Sequence, residues 1–503
     1  MADEHATAVV DLGSNSFRMV VYAWGHGRWR RTDEIFEAVR IGAGLTGDGS
    51  LSQEAIGRAL ATVDVFAHFA RAAGIPPQEQ AYVATSAVRD ATNRDEFVAR
   101  ASEIAGTTVR VLSGEEEARY GYLAAVNSTT LADGAVLDLG GGSLQLVRVA
   151  GRREREASSW PLGAVRMTER FTADGEPVAP KRLERLRAHV LEELRAASWL
   201  PETRRLVGVG GTVRTLAAAI QRATPDVPAF GVQGAEIGAG ALDELIERLA
   251  ALPARERASV PGIKVARADL ILAGAVVVRA AMEACRVGGL EVTEAGLREG
   301  ILLERMLGRD VLVEDVRRAS VLNLAARYLV ETDHTRHVAE LALGLFDELA
   351  AAGLHDGDPH ERELLWAAAV LHDIGMAVDY DDHHKHTRYL ILNAGLPGFT
   401  PREVALIAQT TRYHRKGMPA LGELAPLMEQ DDQALLDRCA LLLRLAEDLE
   451  RPRDRTVREA HARVQDGVVR LELVADGEAR VSRWAASREV ALFERAFGRR
   501  LEV

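Results

Sequence analysis

The sequence predicts an α/β protein: two similar α/β units, then an all-helical domain, then a small α+β tail. Three observations carry this prediction. Strand-like and helix-like segments alternate from residue 7 to about residue 285. A pattern of apolar run, Asp, glycine-rich turn and apolar run occurs twice, as "AVVDLGSNSFRMVV" at 8–21 and "AVLDLGGGSLQLVRV" at 135–149. From about residue 306 strand signals nearly vanish, and most of the fourteen histidines lie there.

In chain order, β-branched and apolar runs place strands at 7–12, 17–23, 81–84 and 108–112, with helices at 52–73, 94–105 and 115–126. The second Asp-Gly motif opens strands at 135–139 and 144–149. A helix at 180–198, a strand at 205–209 and helices at 212–221, 240–251 and 267–285 follow. Amphipathic periodicity then predicts helices at 314–331, 335–353, 361–371, 401–412 and 432–450. The alternating "VVRLELVAD" at 468–476 reads as a strand of the tail. Domain boundaries follow at 1–126, 127–305, 306–455 and 456–503.

Hydrophobic residues make up 47% and charged residues 27% of 503, enough for several cores in a globular protein. No apolar run approaches the ~18 residues of a membrane span. The acidic start "MADEHATAVVDLG" does not read as a signal peptide. Cys285 and Cys439 are the only cysteines, which argues against a disulfide framework and for a reducing cytoplasm. A formal charge of −12 disfavours nonspecific nucleic-acid binding. Neither nucleic acid nor membrane is expected as a partner. An anionic small substrate stays open.

Each Asp-Gly motif can hold phosphate. Glycine leaves the backbone bare, so successive N–H groups can converge on an anion. The first turn adds Gly13, Ser14, Asn15 and Ser16; the second adds Gly140, Gly141, Gly142 and Ser143. Asp11 and Asp138, each at a strand end, would hold a hydrated Mg²⁺ against the phosphates. For one such motif alone a plain β-hairpin turn is the better reading. Two copies in equivalent places favour phosphate. At 206–215, "LVGVGGTVRT" runs a strand into Gly210, Gly211 and Thr212 at a helix start, a third anion site. In "ATSAVRDATNR" (84–94), Thr85, Ser86 and Arg89 surround a turn, and Arg89 suits a bidentate phosphate clamp or a surface salt bridge. "VLSGEEEARYGYLAA" (111–125) opens a helix with three glutamates, for which capping by Ser113 and the helix dipole are sufficient structural reasons.

These motifs together resemble the actin-like ATPase superfamily, whose two ribonuclease-H-like lobes close over phosphates. More narrowly, "DLGSNSFRMV" (11–20), "ATSAVRDATN" (84–93), "SGEEEA" (113–118), "DLGGGS" (138–143), "GVGGTVRTLAAA" (208–219) and "AGLREGIL" (295–302) resemble the exopolyphosphatase/guanosine pentaphosphate phosphatase family. The resemblance implies an exopolyphosphatase that uses Mg²⁺ or Mn²⁺ to release terminal orthophosphate from inorganic polyphosphate. It also implies a glutamate as general base, at Glu117 with Glu116 the nearest rival, and a homodimer. At the family's metal-holding glutamate this chain has Gln145, which brings an oxygen but no charge.

The region of "ETDHTRHVAELA" (331–342) and "AAVLHDIGM" (368–376) is similar to the HD-domain superfamily of metal-dependent phosphohydrolases. That similarity implies a second divalent metal on His334, His372 and Asp373, with Glu447 where relatives carry Asp. His383, His384, His386, His414, Arg412, Arg415 and Lys416 are expected to supply positive charge along a channel for a long polyanion. Guanosine pentaphosphate as substrate and a non-catalytic polyphosphate or alarmone sensor remain as alternatives. An actin-like kinase would need an acceptor-sugar site, for which no motif is present.

Overall fold

A computed structural model describes residues 4–42, 49–172, 175–224, 228–308, 312–328 and 332–503. The chain forms two compact units, Met1–Pro225 with Val232–Val316, and Asp226–Gly231 with Arg317–Val503.

The first unit contains two sheets of related design. One is built from β1 (His5–Leu12), β2 (Phe17–Gly25), β3 (Arg28–Glu37), β4 (Gln80–Ala84) and β5 (Val109–Val111), in the order β3-β2-β1-β4-β5. The other comprises β6 (Gly134–Leu139), β7 (Leu144–Ala150), β8 (Arg153–Trp160), β9 (Leu206–Val209), β10 (Glu236–Gly238) and β11 (Gly289–Val292), in the order β10-β11-β9-β6-β7-β8. In both, three antiparallel strands meet parallel partners on the far side of the Asp-bearing strand. The sequence repeat therefore marks a repeat of most of a sheet. Asp11 lies opposite Arg18 and beside Val83; Asp138 lies opposite Gln145 and beside Val209. Each is the penultimate residue of its strand.

Helices Gly114–Val126 and Leu297–Leu307 belong to one core that joins the sheets, with Val9, Tyr22 and Val83 from one and Val136, Val147 and Val209 from the other. The helices approach unusually closely. A Cβ on Gly300 would lie 2.1 Å from the Tyr120 carbonyl oxygen. Backbone cannot yield as a side-chain tip does, so Gly300→Ala is expected to lower stability by about 1–3 kcal/mol through overpacking. Urea unfolding of the two proteins checks this; an unchanged midpoint would refute it.

The second unit packs helices Thr332–Ala351, Pro359–Leu371, His383–Ala394, Pro401–Arg412 and Asp432–Leu449 around Phe346, Leu365, Phe399 and Leu442. The tail adds β12 (Val457–Gln465), β13 (Val468–Ala475) and β14 (Arg500–Glu502) as a three-stranded sheet with two short helices. The helix expected at 314–331 spans Val316–Ala326, and residues 329–331 lie outside those described.

Several elements were not expected. Strands β3 ("RWRRTDEIFE") and β8 ("REREASSW") edge the sheets, where one side needs no pairing and charge is tolerated, so they carry no apolar run. Helices Ser86–Arg89, Ala164–Phe171, Leu297–Leu307 and His383–Ala394 also lie where no helix was expected. Among the described residues no helix is long and apolar enough to cross a membrane.

Candidate functional site

Within the first unit, the two glycine turns and the Thr85–Ser86 segment come together. Ser14 Oγ and Ser86 Oγ are 3.0 Å apart, and the Ala87 amide donates to Ser14 Oγ at 3.2 Å. A Cβ on Gly142 would lie 2.5 Å from Ser86 Oγ, and one on Gly141 3.0 Å from Ser14 Cβ. A side chain on Gly142 would displace Ser86 Oγ and loosen the contact between the turns. Thr85 precedes the short helix Ser86–Arg89, where a bare turn was expected.

The second turn has a fixed polarity. The Ala164 and Val165 amides donate to the Gly140 and Gly141 carbonyls at 3.0 and 2.8 Å. In a trans peptide the following N–H points the opposite way. The Gly141 and Gly142 amides are thus turned from that helix start. Gly163 makes the junction possible, since a Cβ there would meet the Gly142 carbonyl carbon at 2.3 Å. In the first turn the Ser14 and Asn15 carbonyls accept from Gly42 and Arg40 at 3.1 and 2.9 Å. Gly13 closes on the Ser16 carbonyl, 3.0 Å from where its Cβ would be.

The glutamates of "SGEEEA" separate by role. Glu116 closes a capping box: the Ser113 amide donates to Glu116 Oε2 at 2.9 Å, and the Glu116 amide donates to Ser113 Oγ at 3.1 Å. Its other oxygen accepts from Arg110 at 2.8 Å. Glu117, one residue on, is buried. Arg89 Nη1 donates to its Oε2 at 2.9 Å, and Ser143 Oγ donates at 3.4 Å. Burial pushes the Glu117 carboxyl above its ordinary range, against the opposing pull of Arg89.

Asp11 and Asp138 stand near this glutamate. Arg298 Nη1 donates to Asp11 Oδ2 at 3.3 Å, yet burial still raises the Asp11 carboxyl. Asp138 is pushed up to about 7, by burial first and then by the charges of Glu117 and Asp11. Repulsion between these like charges at Asp138 is relieved by a nearby cation. Gly210, at φ +97°, is required here, because a Cβ would sit 2.9 Å from Asp138 Oδ1. Gln145 is buried opposite Asp138; its Nε2 donates to Ser143 Oγ at 2.8 Å and Ser159 Oγ at 3.3 Å. Its Oε1 has no hydrogen-bond partner. The orphaned Gln145 Oε1 and the carboxylates of Asp11 and Asp138 are all oxygen donors, the chemistry that fits Mg²⁺ or Mn²⁺.

The third glycine segment carries an unforeseen feature. Helix Gly211–Ala223 begins at Gly211, with Thr212 buried in its first turn, and Arg267 lies on the bare Gly211, whose Cβ would stand 2.0 Å from the guanidinium. Arg18, Arg214 and Arg267 all have lowered pKa values, by burial first and then by neighbouring cations; Arg267 falls to about 10. Among the described residues Arg267 has no carboxylate partner. Arg18 is paired with Glu34 at 2.6 Å, whereas half-buried Arg214 and Arg267 lie among neighbouring cations and suit an anion. Sequence reading missed them because they converge from distant segments, although Arg18 and Arg214 lie inside quoted motifs.

In the second unit His334, His372, Asp373 and Glu447 do converge. Nε2 of His334 and His372 lie 3.2 and 3.3 Å from Glu447 Oε2, and 3.9 and 3.6 Å from Asp373 Oδ2. His383, His384 and His414 are buried, and His384 lines a cavity of about 510 Å³ together with Arg415 and Lys416. His383 Nε2 is 3.3 Å from Asp373 Oδ1. Arg412, Arg415 and His386 are partly exposed, and Lys416 is exposed.

Residues 24–309 match the Ppx/GppA phosphatase family, and residues 316–481 match Ppx/GppA phosphatase domain III. The chain belongs to the Ppx/GppA phosphatase family. A crystal structure of the Aquifex aeolicus family member is 27% identical, with a TM-score of 0.53, covering 61% of this chain and 100% of that one. An exopolyphosphatase-like protein is likewise 27% identical, with a TM-score of 0.55 over 60% of this chain and 98% of its own. An exopolyphosphatase from Cytophaga hutchinsonii, 22% identical, shares the fold with a TM-score of 0.56 over 61% of this chain and 100% of its own.

Proposed function

We propose that this phosphatase is an exopolyphosphatase, which hydrolyses the terminal phosphoanhydride of inorganic polyphosphate. The observation that carries the reading is the buried Glu117, held by Arg89 and Ser143 beside Asp11 and Asp138, near where two glycine turns meet. On this reading the two sheets are actin-like lobes and the helical unit is an HD-type domain.

Glu117 accepts a proton from the attacking water; the water oxygen bonds to the terminal phosphorus as the bridging P–O bond breaks, leaving orthophosphate and a shortened chain. The Gly141 and Gly142 amides, with Ser14 and Ser86, orient the transferred group. Asp11, Asp138 and Gln145 Oε1 would hold Mg²⁺, which when bound neutralises charge on the phosphate oxygens. Arg214 and Arg267, with Arg18 beside them on Glu34, bind phosphates beyond the scissile one, a role supported by the lowering of each guanidinium by neighbouring cations.

Phosphate release from long-chain polyphosphate and from guanosine pentaphosphate, each with and without Mg²⁺, tests the reading. Mg²⁺-dependent release with preference for polyphosphate is expected. Preference for guanosine pentaphosphate would instead support the 5′-phosphohydrolase. Binding of either without release would support a sensor, towards which the uncharged Gln145 points.

The carboxylates give a second check. Because the Asp138 pKa is raised from 3.8 to about 7, its ionisation costs folding free energy, increasingly between those values and fully above 7. A bound divalent cation offsets that cost. Mg²⁺ should therefore raise the melting temperature more at pH 8 than at pH 5. Equal increments at both, followed by differential scanning fluorimetry, would contradict Asp138 as a ligand.

A further inference from the structure

We propose that Gln145 is a positioning residue: its side-chain amide sets the direction of the Ser143 hydroxyl, so that Ser143 donates to Glu117. This rests on the reading of Glu117 as the base. It gives position 145 a task that an amide performs and a carboxylate cannot.

The sheet prepares the arrangement. Asp138, Gln145 and Ser159 are register partners across β6, β7 and β8, so they stand in one row. Neighbours in such a row point to the same face. Ser159 in turn packs on the start of the helix that carries Glu117, where a Cβ on Gly114 would lie 2.9 Å from Ser159 Cβ.

The hydrogens available fix the direction. An amide nitrogen has two, and a hydroxyl has one. Gln145 Nε2 donates to Ser143 Oγ at 2.8 Å and to Ser159 Oγ at 3.3 Å, which uses both. Ser143 Oγ, already accepting from Gln145, directs its own hydrogen at the Glu117 carboxylate, 3.4 Å from Oε2 and 3.5 Å from Oε1. Ser143 and Gln145 are 3 and 1% exposed, so bulk water does not supply a competing acceptor. Gln145 Oε1, pointing away from both hydroxyls, is the atom left without a hydrogen-bond partner.

A carboxylate at 145 would invert the pattern. It accepts only, so it would draw the Ser143 hydrogen away from Glu117. As a metal ligand alone, a carboxylate would outperform the amide, because it adds charge beside a divalent cation. A methionine neither donates nor accepts strongly, and it leaves Glu117 as the acceptor nearest to Ser143. The two roles therefore rank the same substitutions in opposite orders.

The test measures kcat and KM on the full chain at saturating Mg²⁺ and alkaline pH, with long-chain polyphosphate or guanosine pentaphosphate, whichever is turned over. Positioning ranks the unsubstituted chain above Gln145→Met, and Gln145→Met above Gln145→Glu. The loss in Gln145→Glu should be ~10-fold in kcat with KM nearly kept, as for one hydrogen bond to a charged group. In a Ser143→Ala background the two substitutions should no longer be separated. Gln145→Glu at or above Gln145→Met overturns the proposal. So does a deficit of Gln145→Glu that persists in Ser143→Ala, which would mark simple charge repulsion. Circular dichroism verifies folding. Should Gln145→Glu unfold, Ser159→Ala replaces it, since it releases the amide from its second hydroxyl; its loss in kcat should vanish in Ser143→Ala, and a loss that persists, or none at all, overturns the proposal. Glu117→Gln, run in parallel, separates the failures. Near-normal release in that variant, or no release from either substrate by the unsubstituted chain, overturns the reading of the base and this inference together. With Glu117→Gln inactive, a wrong ranking at 145 overturns this inference alone.

Discussion

Glu117→Gln should lower phosphate release by ~10²–10⁴-fold while leaving polyphosphate binding near that of the unsubstituted chain. The amide keeps the shape and can still accept from Arg89 and Ser143, which hold the carboxylate at 2.9 and 3.4 Å. It cannot take a proton from water. Glu116→Gln is the matched control. Its carboxylate is spent on the Ser113 amide and Arg110, so the expected loss is a fraction of a cap's worth, about 0.5–1 kcal/mol of stability, with turnover kept. Single-turnover release and equilibrium binding separate these outcomes. Loss of turnover in Glu116→Gln with Glu117→Gln active would reverse the assignment. Near-normal turnover in both would remove a glutamate base from the mechanism.

Arg89→Met should give the second large effect, and a pH-dependent one. Arg89 lowers the Glu117 carboxyl by hydrogen bond and charge, while burial raises it. With the guanidinium gone, only the raising influence of burial and of Asp11 is left, against a weak contact from Ser143. Removing such a partner shifts a carboxyl by ~1–3 pKa units. A base must be ionised to act, so the acid limb of kcat should move to higher pH. Activity at neutral pH should fall by ~10–10³-fold and recover in part on the alkaline side. A uniform loss at every pH would show that Arg89 binds phosphate without tuning Glu117.

Much of this arrangement was legible from local pattern. The twin motifs placed Asp11 and Asp138 at equivalent strand ends, because a strand running into a glycine turn needs only neighbours in sequence. The order of "EEE" was harder. A capping box fixes the third helical residue as structural, and that geometry assigns Glu116 to the cap and frees Glu117 to turn inward. What could not be read depends on partners far along the chain. Nothing around Arg267 announces that it will lie on Gly211, and nothing around Gly163 or Gly300 announces the backbone each one meets. The burial of His383 and His414 was hidden for a similar reason. "DDHHKHTRYL" and "TTRYHRKG" look like solvated basic stretches until carbonyls three residues back turn the rings inward.

The contact of Gly300 with the Tyr120 carbonyl has a consequence beyond stability. Helix Leu297–Leu307 carries Arg298 at one end, and helix Gly114–Val126 carries Glu117. Keyed together with no room for sliding, they behave as a single rigid block, further pinned where Tyr120 donates to Glu304 at 2.9 Å. Arg298, which donates to Asp11, and Glu117, the base we propose, are then carried as one cargo. A motion that opens the site cannot retune one without moving the other, so the relative placement of charge survives each turnover unchanged. Divergent descendants would have to alter both helices in concert or neither.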